Sequence, residues 1–182
     1  MKRAGRYWVP DHETLQIEAL SKGPWQIDHL YAALQHVAGR TLAVDVGAHV
    51  GTWTLALAEA GFRTVEAFEP APDTFECLRE NVKEWREANP DRGNTVSLTN
   101  CALGETTTFM GMKEDGKYAG GNTGGRYLKG EGKVFVRPLD VYNLQELDFL
   151  KLDVEGFELF VLKGARSTLL RCRPVVVIED KY

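Results

Sequence analysis

Seven residues, Asp45-Val46-Gly47-Ala48-His49-Val50-Gly51, put an acid, two glycines and a histidine where an apolar run gives way to a helical one. Residues 41–46 are apolar and β-branched enough for a buried parallel strand, while Trp53, Ala56, Leu57 and Ala60 fall on one helical face. Between the two, Gly47 and Gly51 allow a sharp turn and let a ligand approach the main chain, with Ala48 adding little bulk. Dinucleotide loops carry a second glycine two positions after the first, and here that position is His49, which argues against NAD. A carboxylate at Asp45 suits a cationic partner instead, such as the ammonium at the methionyl end of S-adenosylmethionine.

Two more strand ends bring acids to the same edge. Thr64-Val65-Glu66-Ala67-Phe68 runs into Glu69-Pro70, roughly two dozen residues after Asp45, where doubly wound folds hold ribose hydroxyls. Phe149-Leu150-Lys151-Leu152-Asp153 then leads into Val154-Glu155-Gly156, a second strand-to-helix turn. An unpaired buried carboxylate at Asp153 is costly, so it needs a cation: a sulfonium, a substrate group, or Lys151 on its own strand. Competing readings stand beside these roles. Glu69 also suits the start of the next helix, and a helix dipole accounts for Glu155 and Glu158. His49 reads either as a general base or as a helix cap, and Ala102 either as a wall beside adenine or as strand-end packing.

These segments, in this order and spacing, resemble the signature segments of the FkbM-type methyltransferases. The resemblance continues through Asn100-Cys101-Ala102-Leu103-Gly104, Leu139-Asp140 and Lys163-Gly164-Ala165 to Glu179, leaving the first forty residues outside it. It implies a class I, Rossmann-like methyltransferase fold, S-adenosyl-L-methionine as cofactor, and methyl transfer to a hydroxyl of a sugar, glycan or other small metabolite. Asp45, Gly47, Ala48, His49, Gly51, Glu69, Pro70, Ala102 and Asp153 are then the cofactor-binding candidates, and Asp153, Glu155 and His49 the catalytic ones. No metal triad is expected. The rival reading is a non-catalytic nucleoside-binding or assembly module derived from such an enzyme.

The elements that must position these residues follow from the rest of the chain. At 182 residues and 43% hydrophobic content it suits a single domain of α/β class, with a doubly wound, mostly parallel sheet. Residues 1–40 read as a helical extension, with a helix over 25–38, and 41–182 as the cofactor-binding core. Pro72-Asp73 with Glu76 predicts a capping box opening a helix that Asn89-Pro90 stops. Strands are predicted over 95–98, 106–110 and 134–136, the last two as partners, and a final strand over 175–178. Residues 116–133 are glycine-rich without apolar periodicity and predict a loop, either a cover over the acceptor site using Tyr118, Arg126 and Tyr127 or a solvated tip. A complete fold of this class continues past Glu179 with a helix and an antiparallel strand pair, so an exposed sheet edge is expected, with either dimerisation along it or a longer parent chain.

The net charge of −4 excludes a globally basic surface for nucleic acid. No apolar run reaches membrane-spanning length, and the residues around Pro10 to Glu13 interrupt any signal peptide. Cys77, Cys101 and Cys172 lack metal or disulfide spacing, and a reducing cytoplasm is expected.

Overall fold

The structure, a computed structural model, describes residues 1–23, 26–114 and 121–179. In chain order, a hairpin of β1 (Lys2–Ala4) and β2 (Tyr7–Val9) precedes α1 (Ile17–Lys22) and α2 (Ile27–Leu34). Then follow β3 (Leu42–Val46), α3 (Thr52–Glu59), β4 (Thr64–Phe68), α4 (Pro72–Ala88) and β5 (Thr95–Thr99). Short strands β6 (Ala102–Leu103), β7 (Thr108–Met110), β8 (Met112–Glu114), β9 (Arg126–Leu128) and β10 (Val134–Arg137) lead to β11 (Phe149–Leu152), α5 (Glu158–Gly164), α6 (Arg166–Cys172) and β12 (Val175–Ile178).

The main sheet has the order β12-β11-β3-β4-β5, with every neighbouring pair parallel. Successive strands run outward from β3 on one side while β11 and β12 fill the other, so the order reverses between β3 and β11. That reversal opens a crevice at the carboxyl ends of the strands, where ligands bind in open α/β sheets.

Period-two alternation divides the core into two faces. Ala43 and Phe149 pack with Trp53, Phe62, Leu78 and Tyr7 on one side. Val44, Val46, Leu150 and Leu152 pack with Leu139 and Val161 on the other. With both faces covered, β3 and β11 are buried throughout. The expected doubly wound α/β sheet is what the chain forms.

Several elements differ from expectation. The amino-terminal region starts with a hairpin, its turn made at Gly5 with φ of +59°, rather than with helix alone. The capping box does not form: α4 starts on Pro72, no side chain caps it, and the Asp73 carboxylate is drawn off by Arg126. Residues 121–133 are more than a loop, because β9 pairs antiparallel with β8. The predicted pairing of 134–136 with 106–110 is present as β10 against β7, and β10 also runs parallel to β6. Trp25 and residues 116–120, including Tyr118, lie outside the described residues. At the sheet edge, Val176 and Ile178 of β12 are exposed. Among the described residues no helix is long and apolar enough to cross a membrane.

Candidate active site

The turn after β3 is held by backbone. The N–H groups of Gly47 and Ala48 both donate to the Phe68 carbonyl at the end of β4, at 2.9 and 3.0 Å. Gly47, His49 and Gly51 all take left-handed conformations, with φ of +76°, +51° and +94°. Only glycine fits the first, because a Cβ at Gly47 would collide with the Asp153 carbonyl oxygen. At Gly51 a Cβ would sit 2.6 Å from Leu78 Cδ1 of α4, so this glycine serves helix packing and does not line the cavity. His49 bears its left-handed backbone with a full side chain, a strained conformation of the kind found at working sites.

Lys151 joins the strand ends beneath that turn. Its Nζ donates to the Gly47 carbonyl at 2.6 Å and lies 3.1 Å from Asp45 Oδ1 and 3.7 Å from Asp153 Oδ2. Burial works against the ammonium, but Asp45 and then Asp153 outweigh it and hold its pKa above the ordinary lysine value. Asp45 is fully buried, takes the Thr54 hydroxyl at 2.6 Å on Oδ2, and is absent from the cavity wall. The expected contact between Asp45 and a ligand ammonium therefore gives way to a protein cation: Asp45 anchors Lys151, and Lys151 holds the glycine turn.

Glu69 faces the cavity from the end of β4. Its Oε2 accepts the His49 N–H and its Oε1 the Ala71 N–H, each at 2.8 Å. The ribose and helix-start readings thus meet in one residue, since Ala71 is the residue before α4. A carboxylate has about four lone-pair positions, so roughly two remain for a ligand. Burial pushes the Glu69 pKa up to about 7 against the pull of those N–H groups. Asn100 Nδ2 donates to the Glu69 and Pro70 carbonyls and fixes the strand end from β5.

His49 is lowered to about 4, chiefly by burial. Its Nε2 lies 2.7 Å from Thr123 Oγ1. A ring so poorly basic, with one nitrogen already engaged, does not suit proton abstraction near neutrality. Nor does it cap α3, whose preceding residue is Gly51. His49 is instead a strut between the glycine turn and the segment that covers it.

These groups surround a cavity of about 450 Å³. Gly47, Ala48, Glu69 and Pro70 form its floor, Phe68, Cys101, Ala102 and Leu103 one wall, and Asp153, Glu155 and Glu179 part of its rim. Glu158 is not on the rim: it accepts the Val154 and Gly156 N–H groups and closes the turn before its own helix. Glu155 takes a left-handed backbone, with φ of +54°.

The opposite wall comes from parts of the chain that the motifs do not mark. Leu15, Gln16, Ala19 and Leu20 line it from the amino-terminal region, and residues 122–128 line it from the other side. Arg126 fastens this second segment, reaching Asp73 with two nitrogens at 2.6 and 3.0 Å and Glu114 with Nε at 2.9 Å. Thr14 and Leu15 N–H groups donate to the Gly121 carbonyl, and Glu13 binds Thr123. Among the described residues, no three His, Cys, Asp or Glu side chains gather as metal ligands.

Comparison with known proteins agrees with this geometry. Residues 45–182 match the family model described as the methyltransferase FkbM domain. The chain is 30% identical over 140 residues to the hexuronic acid methyltransferase AglP of Haloferax volcanii, covering 73% of this chain and 53% of that protein. The chain therefore spans about half the length of this curated relative. In fold it is similar to the crystal structure of the methyltransferase FkbM from Methylobacillus flagellatus KT, with a TM-score of 0.55, 24% identity, and coverage of 77% of this chain and 32% of that one. The match across most of its length shows that this chain belongs to the FkbM methyltransferase family.

Proposed function

We propose that the chain is an S-adenosylmethionine-dependent methyltransferase acting on a hydroxyl oxygen of a sugar or glycan. The observation that carries the reading is the cavity at the sheet's reversal point, where a glycine turn, Glu69 with lone pairs to spare and Asp153 meet. Its volume lies in the range of about 300–1,000 Å³ usual for small-molecule sites. When bound, the cofactor supplies an electrophilic methyl group on a sulfonium. Glu69 accepts from the ribose hydroxyls, Ala102 and Leu103 flank the base, and Asp153 lies toward the cationic end. The hexuronic acid methyltransferase among the relatives supports a sugar as acceptor.

The residues contribute mostly by holding the reactants in line. Positioning of this kind can lower a barrier by about 7 to 11 kcal/mol, whereas a general base adds about 10²- to 10⁴-fold. With His49 engaged elsewhere, Asp153 and Glu155 at the rim are the groups that orient the acceptor hydroxyl and receive its proton. Cys77, Cys101 and Cys172 are free thiols, which supports a reducing, cytoplasmic setting.

A thermal shift with S-adenosylhomocysteine, followed by a labelled-methyl screen over neutral and acidic sugars, tests the reading. Stabilisation by the ligand and label in a sugar are expected, and the absence of a shift would overturn it. Asp153→Ala is expected to lower kcat about 10²-fold while changing S-adenosylhomocysteine affinity less. Equal losses in calorimetry and initial rates would remove Asp153 from the chemical step.

A further inference from the structure

The residues before Asp45 lie outside the matched family region, yet they supply a fully buried acid, Glu13, that binds Thr123 of the cavity lining. Glu13 Oε1 accepts the Gln16 N–H at 2.9 Å, and Oε2 accepts both the N–H and the O–H of Thr123, at 2.8 and 2.6 Å. Burial pushes this carboxyl up, but the hydrogen bonds from the Thr123 hydroxyl and the two backbone N–H groups draw it down, and it lies below the usual glutamate value.

A threonine hydroxyl has one proton and two lone pairs. An ionised carboxylate has no proton to give, so the Thr123 proton goes to Glu13. Oγ1 then turns a lone pair toward His49 Nε2, 2.7 Å away. An unprotonated nitrogen there would set lone pair against lone pair, and Nε2 must therefore carry hydrogen.

We propose that Glu13 is a positioning residue for His49, holding its imidazole through Thr123 as the neutral Nε2–H tautomer braced against the glycine turn. The chain Glu13–Thr123–His49 ties together segments 74 and 110 residues apart. It also gives the cavity a specific electrostatic character, a consequence that rests on the cofactor reading above. A neutral ring beside the turn adds no positive charge where a sulfonium would sit.

The tautomer is measurable in the full chain without any ligand, by long-range ¹H–¹⁵N spectra of ¹⁵N-histidine-labelled protein at pH 7. His49 is assigned by through-bond correlation from its backbone resonances in the uniformly ¹³C,¹⁵N-labelled parent protein. A protonated Nε2 with a bare Nδ1 is expected. An Nδ1–H tautomer or an imidazolium would overturn the proposal, and this holds even if every variant fails to fold. In folded Thr123→Val the ring should populate both tautomers, and Thr123→Ser should restore one. An unchanged tautomer in Thr123→Val would also overturn it. Calorimetry with S-adenosylhomocysteine separates the two readings: affinity should fall about tenfold in Thr123→Val and recover in Thr123→Ser. An Nε2–H ring in a protein that does not bind the ligand would sink the cofactor reading and leave Glu13 in its role, whereas ligand binding beside an Nδ1–H ring would do the reverse.

Discussion

The two halves of the cavity are built differently. The floor, from β3, β4 and β11, is made of backbone: two N–H groups on one carbonyl, a glycine pressed against Asp153, and one lysine under the turn. The cover, from residues 13–20 and 121–128, is made of side chains reaching across long stretches of sequence: Glu13 to Thr123, and Arg126 to Asp73 and Glu114. A floor tied into a buried parallel sheet is stiff. The cover lies outside that sheet and hangs on polar contacts between distant segments, buried at Glu13 and Thr123 and part-buried at Arg126. The two halves thus differ in what holds them, main-chain ties within a sheet in one and side-chain ties across the chain in the other.

The largest effect is expected from breaking the floor at Lys151. Lys151→Met leaves Asp45 buried without its cation, a loss of about 3–5 kcal/mol, read from urea denaturation. If stability were unchanged, the floor would not depend on this charge pair.

A smaller effect comes from pH. With the Glu69 pKa raised to about 7, S-adenosylhomocysteine should bind about tenfold more weakly at pH 6 than at pH 8, because protonation removes an acceptor from the ribose site. The sign for folding is opposite. A carboxyl whose folded value is raised above the ordinary 4.5 stabilises the ligand-free protein at low pH, and this contribution is lost as pH rises through about 7. Calorimetry across that range checks the first, and denaturation of Glu69→Gln beside the parent the second. A flat affinity profile would remove Glu69 from the ribose.

The smallest effect is expected in the cover. Arg126→Gln keeps the side chain's polarity but loses the charge that pairs with Asp73 and Glu114, at about 1 kcal/mol and about 2–4 °C in Tm. Proteolysis within 121–133 should accelerate while the floor's hydrogen-exchange protection stays intact. Equal loosening of both halves would erase the distinction.

The same division decided what the sequence could reveal. Gly47, Glu69 and Asp153 were legible because the loop, its spacing and the strand ends are local patterns that fix backbone geometry. Asp45 was legible as an acid at the right place but not as the partner of Lys151, which depends on strand register across more than a hundred residues. The cover was legible only in part: the composition of residues 116–133 allowed a cover or a solvated tip, but not the contacts that hold it or the share taken by residues 13–20. β9 has three residues and is held by Arg126 rather than by alternating apolar side chains, and Asp73 left its capping role for the same arginine. Glu13 carries no motif, so its importance rests on burial and on the partners that tertiary folding brings to it.

The pairing of Lys151 with Asp45 also bears on how the chain finds its shape. The two face each other in register across β11 and β3. A slip of one position would turn the lysine to the opposite face, among Val44 and Val46 of β3 and Leu139 and Val161, with its ammonium in hydrocarbon and nothing to answer it. Hydrophobic strands such as these could zip together in several alignments, and this one charged rung penalises the wrong ones, acting as a proofreading step in assembly before any ligand arrives.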